Sequence, residues 1–245
     1  MSKKLLIISD THFSKNNSLL FTKVDAEKHI NLLRQDIIQE APEYMFILGD
    51  MSQDGTTESY NKVKSFLDNF ACPKYIIMGN HDSSNIQYLL SSDIIMCPFL
   101  DIDNHRFIFI SSYKGINKQG INYDEGYVSK TELNKISKYF DSNKQNYLII
   151  HHHFIKTGGI IDNWILDNHE EFCKHIQKFH LKAVFHGHVH NGYKKQLGTI
   201  DIFATPSTCI QFALTPKLNL ESIIGYQKIT LMDNSYEQET INKII

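Results

Sequence analysis

Apolar and polar residues fall in blocks along this chain, and five of the apolar blocks end in the same way. Leu5-Leu6-Ile7-Ile8 runs into Ser9-Asp10-Thr11-His12, Met45-Phe46-Ile47-Leu48 into Gly49-Asp50, and Tyr75-Ile76-Ile77-Met78 into Gly79-Asn80-His81-Asp82. Further on, Leu148-Ile149-Ile150 runs into His151-His152-His153, and Ala183-Val184-Phe185 into His186-Gly187-His188-Val189-His190. Short apolar runs bounded by turn residues are the mark of buried strands. Between the first three runs, Thr22 to Glu40 carries Val24, Ile30, Leu33, Ile37 and Ile38 near helical spacing and stops at Ala41-Pro42. Thr56 to Phe70 does the same with Tyr60, Val63, Phe66, Leu67 and Phe70, so two helices are predicted.

The strand-helix-strand-helix-strand order predicts an α/β sheet with right-handed crossovers, whose ligands gather beyond the carboxyl ends of the strands. A short helix is expected around Ser84 to Leu90, a strand at Arg106 to Ser111, and a helix to about Phe140 opened by the capping box Ser129-Lys130-Thr131-Glu132. Glu170, Glu171 and Lys174 mark the solvated side of a helix from about Asn168 to Phe179, with His169, His175 and His180 on its surface. After His190 come short strands, among them Ile200 to Ala204, Ile223 to Leu231 and Tyr236 to Ile241, which predict an antiparallel second sheet. Lys114 to Gly126 and Lys156 to Asp162 read as functional loops over the ligand face. For Tyr113, Tyr123 and Tyr127, in or beside the first loop, packing is a simpler role than stacking on a base.

Composition narrows the function. The chain has 245 residues, 42% hydrophobic and 21% charged, with no repeat or linker, which predicts one globular domain over 1–245. Its net charge of -2 provides no basic field of the kind that extended nucleic acid needs. No stretch approaches the roughly 18 apolar residues of a membrane span, and the first apolar run turns polar too soon for a signal peptide, so a cytoplasmic protein without membrane contact is expected. Cys72, Cys97, Cys173 and Cys209 form no C-x-x-C pair and read as free thiols, mostly core. Histidine is abundant, at 13 copies, and its placement carries the chemistry.

Asp10, His12, Asp50, Asn80, one histidine of His151-His152-His153, His188 and His190 supply carboxylate, imidazole and amide donors without thiolate. Such a set suits Mn, Fe or Zn in a reactive site better than a structural zinc. The donors are too many for one ion, whereas two ions sharing a bridging carboxylate use them economically. Two divalent cations less the two carboxylates leave two positive charges, which a hydroxide and a singly charged phosphodiester cancel. The ions would bring the pKa of bound water towards roughly 7 and polarise the phosphoryl oxygens. His81 is placed to protonate the leaving oxygen or to bond a phosphate oxygen, with Asp82 orienting it. Asn80, His81 and His152 are the candidates for touching substrate. His105 reads as a structural histidine, His186 as the end of a strand, Asp54 as a turn or supporting residue, and Ser207 and Thr208, which lack a nucleophile elbow, as residues near the site.

Taken together, these five blocks resemble the motif set of the calcineurin-like metallophosphoesterases over Asp10 to His190. The resemblance implies that Asp10, His12, Asp50 and His190 hold one metal and Asp50, Asn80, His151 and His188 the other, with Asp50 the bridge. The chain departs from the usual His-His-Pro-Pro block by reading His151-His152-His153-Phe154, so the choice of His151 over His152 rests on alignment of the first histidine. Gly49-Asp50-Met51-Ser52-Gln53-Asp54-Gly55 and Ala204-Thr205-Pro206-Ser207-Thr208-Cys209-Ile210-Gln211-Phe212 are further similar to the bacterial class III 3′,5′-cyclic AMP phosphodiesterases. That likeness implies a four-layer αββα sandwich of two mixed β-sheets and metal-dependent hydrolysis of cyclic AMP, a small-molecule substrate, to AMP. Two other readings share the residues: the same chemistry on a glycerophosphodiester, lipid-linked phosphate or nucleic-acid end, and a non-catalytic scaffold, against which the complete motif set speaks.

Overall fold

The computed structural model describes residues 2–16 and 24–245. In chain order the elements are β1 (Lys3–Ile8), α1 (Ala26–Glu40), β2 (Tyr44–Ile47), α2 (Thr57–Leu67), β3 (Lys74–Ile76), β4 (Ile94–Ile95), β5 (Phe99–Ile102) and β6 (His105–Phe109). There follow α3 (Lys130–Tyr139), β7 (Gln145–Ile149), α4 (His169–Ile176), β8 (Leu181–His186), β9 (Tyr193–Leu197), β10 (Ile200–Ala204), β11 (Gln211–Phe212), β12 (Leu220–Glu221), β13 (Ile223–Met232) and β14 (Ser235–Ile244). Single 3₁₀ segments at Ser84–Leu89 and Ile160–Trp164 complete the set.

Two mixed six-stranded sheets pack face to face, in the orders β14-β13-β1-β2-β3-β4 and β5-β6-β7-β8-β10-β9. The period of two along β1 shows why four layers result. Leu6 and Ile8 pack with Ile30, Leu33 and Ile37 of α1 and Tyr60 and Val63 of α2, whereas Leu5 and Ile7 turn to Phe107, Tyr147 and Phe185 of the other sheet. The outer face of the second sheet, through Ile108, Leu148 and Val184, is covered by Leu133 and Ile136 of α3 and Phe172 and Ile176 of α4. Strands buried on both faces read as continuous apolar runs, which is the pattern these five blocks have.

The parallel core β1-β2-β3 follows the expected α/β order, but the expected antiparallel second sheet does not form as a unit. The strands after His190 are divided between the sheets. β13 runs antiparallel beside β1 and carries β14 outside it, while β10 pairs parallel with β8 and antiparallel with β9. Alternating polarity predicts a half-buried strand and says nothing of which edge it joins.

Helix ends follow local chemistry. The Asp25 side chain accepts the Lys28 N–H at 2.9 Å to open α1, and Ala41 closes it in a left-handed conformation before Pro42; the expected start at Thr22 lies outside the described residues. Ser129 accepts the Glu132 N–H as expected, but the Glu132 carboxylate accepts from the Ser111 N–H at 2.8 Å, so it ties the helix to the loop after β6. All four cysteines are free, and no helix among the described residues is long and apolar enough to cross a membrane.

Phe46, fully buried, meets Phe107 and Phe109 of the opposite sheet edge to face at 5.0 and 5.2 Å between ring centroids. Phe46→Ala is expected to cost about 3–5 kcal/mol through the cavity left between the sheets, read as a lower urea midpoint at unchanged m-value.

Candidate metal centre

The carboxyl ends of β1, β2, β3, β7 and β8 meet where the two sheets face each other. Asp10, His12 and His190 come together there, as do Asp10, Asp50 and His151, His12, Asp50 and His81, and His151, His152 and His188, each trio with ligand atoms within 4.8 Å of one another. Asp50 Oδ2 lies 3.8 Å from His12 Nε2 and 3.4 Å from His151 Nε2, and Asp10 Oδ1 lies 3.5 Å from His190 Nε2. Asn80 Oδ1 lies 3.2 Å from His151 Nε2 and 3.0 Å from His188 Nδ1. The donors expected from five separate strand ends thus form one buried cluster.

Backbone conformation aims them. Asp10, His12, Asp50, His188 and His190 all have positive φ, between 47° and 68°, a left-handed conformation uncommon outside glycine and stored mainly at functional sites. In Asp10-Thr11-His12 and His188-Val189-His190 alike, two such residues flank a fully or almost fully buried one. The motif glycines follow from close packing. A Cβ on Gly79 would collide with Asp50 Oδ1, and one on Gly187 with Ser9 Oγ.

The tautomers decide what the cluster is for. His12 Nδ1 faces Gln53 Oε1 at 2.8 Å, His190 Nδ1 the Ile210 carbonyl at 3.1 Å, His151 Nδ1 the Leu48 carbonyl at 2.5 Å and His188 Nε2 the Trp164 carbonyl at 3.1 Å. Each partner is an acceptor, so each imidazole donates outward and, when neutral, turns its lone pair inward. The inward nitrogens meet only one another and further acceptors: His12 Nε2 and His190 Nε2 stand 2.9 Å apart. Lone pairs so arranged repel unless a positive charge lies among them.

Protonation reflects that demand. Burial works to raise the Asp50 pKa, but the charges of His151 and His81 hold it well below the usual carboxylate range. Burial works to lower that of His151, but Asp50 brings it up to about 9. Burial pushes the Asp10 carboxyl up to about 7, against the pull of His151, and pushes His12 down to about 4. His188 and His190 are driven well below the ordinary imidazole value, first by burial. Hard carboxylate and amide oxygens with borderline imidazoles, convergent and with only His151 and Asp10 left to give up a proton on binding, fit divalent transition-metal ions.

The remaining expected residues divide. His152 Nδ1 pairs with Ser112 Oγ at 2.7 Å and Nε2 with the Asp124 carbonyl at 3.1 Å, so both its nitrogens are engaged by the loop after β6. His81 is half-buried, lines the cavity over the cluster, and donates its backbone N–H to Asp50 Oδ1 at 2.8 Å. Asp82 is fully buried, and its carboxylate accepts from Gly79 N, Ser52 N and Tyr60 Oη. Those partners belong to the scaffold of the loops rather than to His81. Asp54 caps a turn through Thr56, and His105 spans Tyr147 Oη and the Met232 carbonyl, both as structural readings require. Ser207 donates to the Asp10 carbonyl at 2.9 Å, beneath the cluster.

The calcineurin-like phosphoesterase family profile matches residues 3–192, most of the chain. This protein belongs to that family. Members use a dinuclear divalent metal centre, and the cluster lies within the matched span. The chain is 28% identical over 210 residues to a probable cyclic nucleotide phosphodiesterase of Pseudoalteromonas sp. (strain SM9913), covering 84% of this chain and 78% of that one. It is 25% identical over 253 residues to the 3′,5′-cyclic adenosine monophosphate phosphodiesterase CpdA of Pseudomonas aeruginosa, covering 98% and 89%. Among solved structures it is similar in fold to a dimetal phosphatase from Danio rerio, with a TM-score of 0.64 at 12% identity and 98% of both chains covered.

Sequence reasoning about this calcineurin-like chain missed Gln53, which orients His12, and the carbonyls of Leu48, Trp164 and Ile210, which orient three more imidazoles. Gln53 lies in the Gly49 to Gly55 segment, three residues after Asp50, and that amide is the available signal; backbone carbonyls leave none. Gly79→Ala is expected to displace the Asp50 carboxylate and to cut bound metal, counted by elemental mass spectrometry on metal-reconstituted protein, by at least half while far-ultraviolet circular dichroism stays that of the native fold.

Proposed function

We propose that this chain is a dinuclear-metal phosphodiesterase that hydrolyses 3′,5′-cyclic AMP to the 5′-monophosphate. The observation that carries the proposal is the convergence of inward imidazole lone pairs on two carboxylates and one amide oxygen. The cyclic nucleotide follows from the names of the relatives. On this reading Asp10, His12, Asp50 and His190 hold one ion and Asp50, Asn80, His151 and His188 the other. Asp50 suits the shared position because one of its oxygens faces both His12 and His151. His151 is preferred to His152 because His152 spends both nitrogens on Ser112 and Asp124. Manganese and iron suit this donor set, with zinc the further option. When bound, such ions polarise phosphoryl oxygens and acidify a water.

The protein's own groups do the rest. In the reaction a water oxygen bonds to phosphorus, the bond from phosphorus to the 3′ oxygen breaks, and that oxygen takes up a proton. His81 delivers it: the ring borders the cavity, its backbone N–H donates to Asp50 Oδ1, and its Nδ1 faces the Gln53 carbonyl at 3.4 Å. Asp82 acts one step away by fixing the amides of Gly79 and Ser52, which hold the two loops that bear Asn80 and Asp50. His152 fixes the wall formed by the 114–126 loop, whose Asn122 side chain donates to the Asn80 carbonyl at 2.5 Å.

Two measurements test this. Manganese- or iron-loaded protein is expected to turn over cyclic AMP in preference to a generic aryl phosphodiester; turnover of the aryl compound alone would remove the nucleotide assignment. Asp50→Ala is expected to lose both metal and activity, whereas His81→Ala keeps its metal and loses roughly 10²–10⁴-fold in kcat, the usual share of a general acid. A His81→Ala enzyme with normal turnover would refute that role.

A further inference from the structure

Over the cluster lies a cavity of about 300 Å³ with two unlike sides. One side is polar, the donor cluster with His81, Gln53 and Asp124. The other is built of Ile161, Trp164, Phe212 and Leu218, which come from the 156–164 segment and from β11 and its following turn. We propose that this apolar side is the seat of the nucleobase, with the indole of Trp164 the residue that discriminates among phosphodiesters. The inference rests on the phosphodiesterase reading above and goes beyond it by naming the subsite.

Three features favour a flat, uncharged ring as the occupant. The wall is rigid. Phe212 stacks on the His190 ring at 4.3 Å and 6°, and Ile161 and Phe212 belong to a buried cluster with Val189, Cys209 and Ile210 against which Trp164 packs. The 156–164 segment is itself held by the Asp162 carboxylate, which accepts from Thr157 N at 2.8 Å, Gly158 N at 2.8 Å and Thr157 Oγ1 at 2.9 Å and faces His153 Nε2 at 3.3 Å. The wall is also joined to the reacting side, since the Trp164 carbonyl orients His188. Because Trp164 lines the same cavity as His188 and His190, a phosphodiester at the cluster has one arm beside that wall.

The chemistry of this wall disfavours the competing arms. The four wall residues carry no charge, and the indole N–H is their one side-chain polar group, so the hydroxyls of a glycerol arm would lose water there with little in return. No lysine or arginine lines the cavity among the described residues, which disfavours the further phosphates of a nucleic-acid end. A nucleobase gains what the wall offers, because base stacking on an aromatic side chain is worth roughly tenfold or more in affinity.

Trp164 is the one tryptophan of the chain, so its emission reports on this wall without reference to catalysis. Zinc-loaded protein is titrated with AMP and with ribose 5-phosphate, with binding followed in parallel by calorimetry. AMP is expected to quench the emission saturably, and ribose 5-phosphate to leave it unchanged. AMP that binds without any change in emission overturns the subsite and leaves the phosphodiesterase reading standing. Failure of AMP to bind, with no turnover of cyclic AMP, overturns both. In kinetics, Trp164→Ala is expected to raise KM for cyclic AMP roughly tenfold or more, with Trp164→Phe restoring most of it. The ratio of kcat/KM for cyclic AMP to that for a base-free ribose 3′,5′-cyclic phosphate falls accordingly; a ratio unmoved by Trp164→Ala overturns the assignment.

Discussion

Lone pairs that face one another inside a folded protein repel, and at the seam of two sheets here the imidazoles of His12, His188 and His190, two carboxylates and an amide do so, relieved only by the charge that His151 sets against Asp50. Burying such groups without a compensating charge is among the most costly things a fold can do. The arrangement persists because each ring is held from behind. Leu48, Trp164 and Ile210 offer carbonyls and Gln53 an amide oxygen, and a ring fixed through its outer nitrogen cannot turn away from its neighbours. Left-handed backbone at five of the donors completes the constraint. The strain is local, and the apolar layers around it are extensive enough to absorb it.

The two sheets contribute unequally. Asp10, His12, Asp50 and Asn80 end strands of the first, and His151, His188 and His190 those of the second, so the centre exists only where the sheets are docked. Hydrogen bonds knit the seam: Asp10 accepts the His188 N–H at 3.1 Å, Ser207 donates to the Asp10 carbonyl, and the Thr208 N–H reaches the Ser9 carbonyl at 3.1 Å. The same Ser9 is why residue 187 is glycine. Packing between the sheets, led by Phe46 and the aromatic rings around it, therefore sets the distances on which the cluster depends.

Much of this was legible in the sequence, and the parts that were not share a cause. An apolar run that stops in a polar residue marks both a buried strand and its exit, so the donors were readable where β1, β2, β3, β7 and β8 end. The split of the last strands between the sheets was not, because the register of β13 on β1 is a contact across more than two hundred residues that periodicity does not encode. The sequence pairs Asp82 with its neighbour His81, yet the two leave the turn in different directions, one to the cavity and the other to the amides of Ser52 and Gly79. Trp164 carries no signal, and Phe212 is marked only as the end of the Ala204 to Phe212 segment, not as part of a wall. Their meaning comes from loops that meet only after both sheets have formed.

The electrostatics of the seam tie stability to the cation it demands. Without one, Asp50 and His151 settle as a charged pair, with His151 raised to about 9, while burial leaves Asp10 raised to about 7. Each is a compromise between desolvation and a neighbour's charge. A divalent ion bound among the inward nitrogens would replace that compromise with ligation, and anything that binds the native state alone stabilises it, by about 2.7 kcal/mol at a hundredfold excess over Kd. For a domain whose total margin is about 5–15 kcal/mol, that is a large share. The clustered donors are therefore a cost to the metal-free fold, and the carbonyls behind them hold the rings in place through the same hydrogen bonds that would present them to an ion.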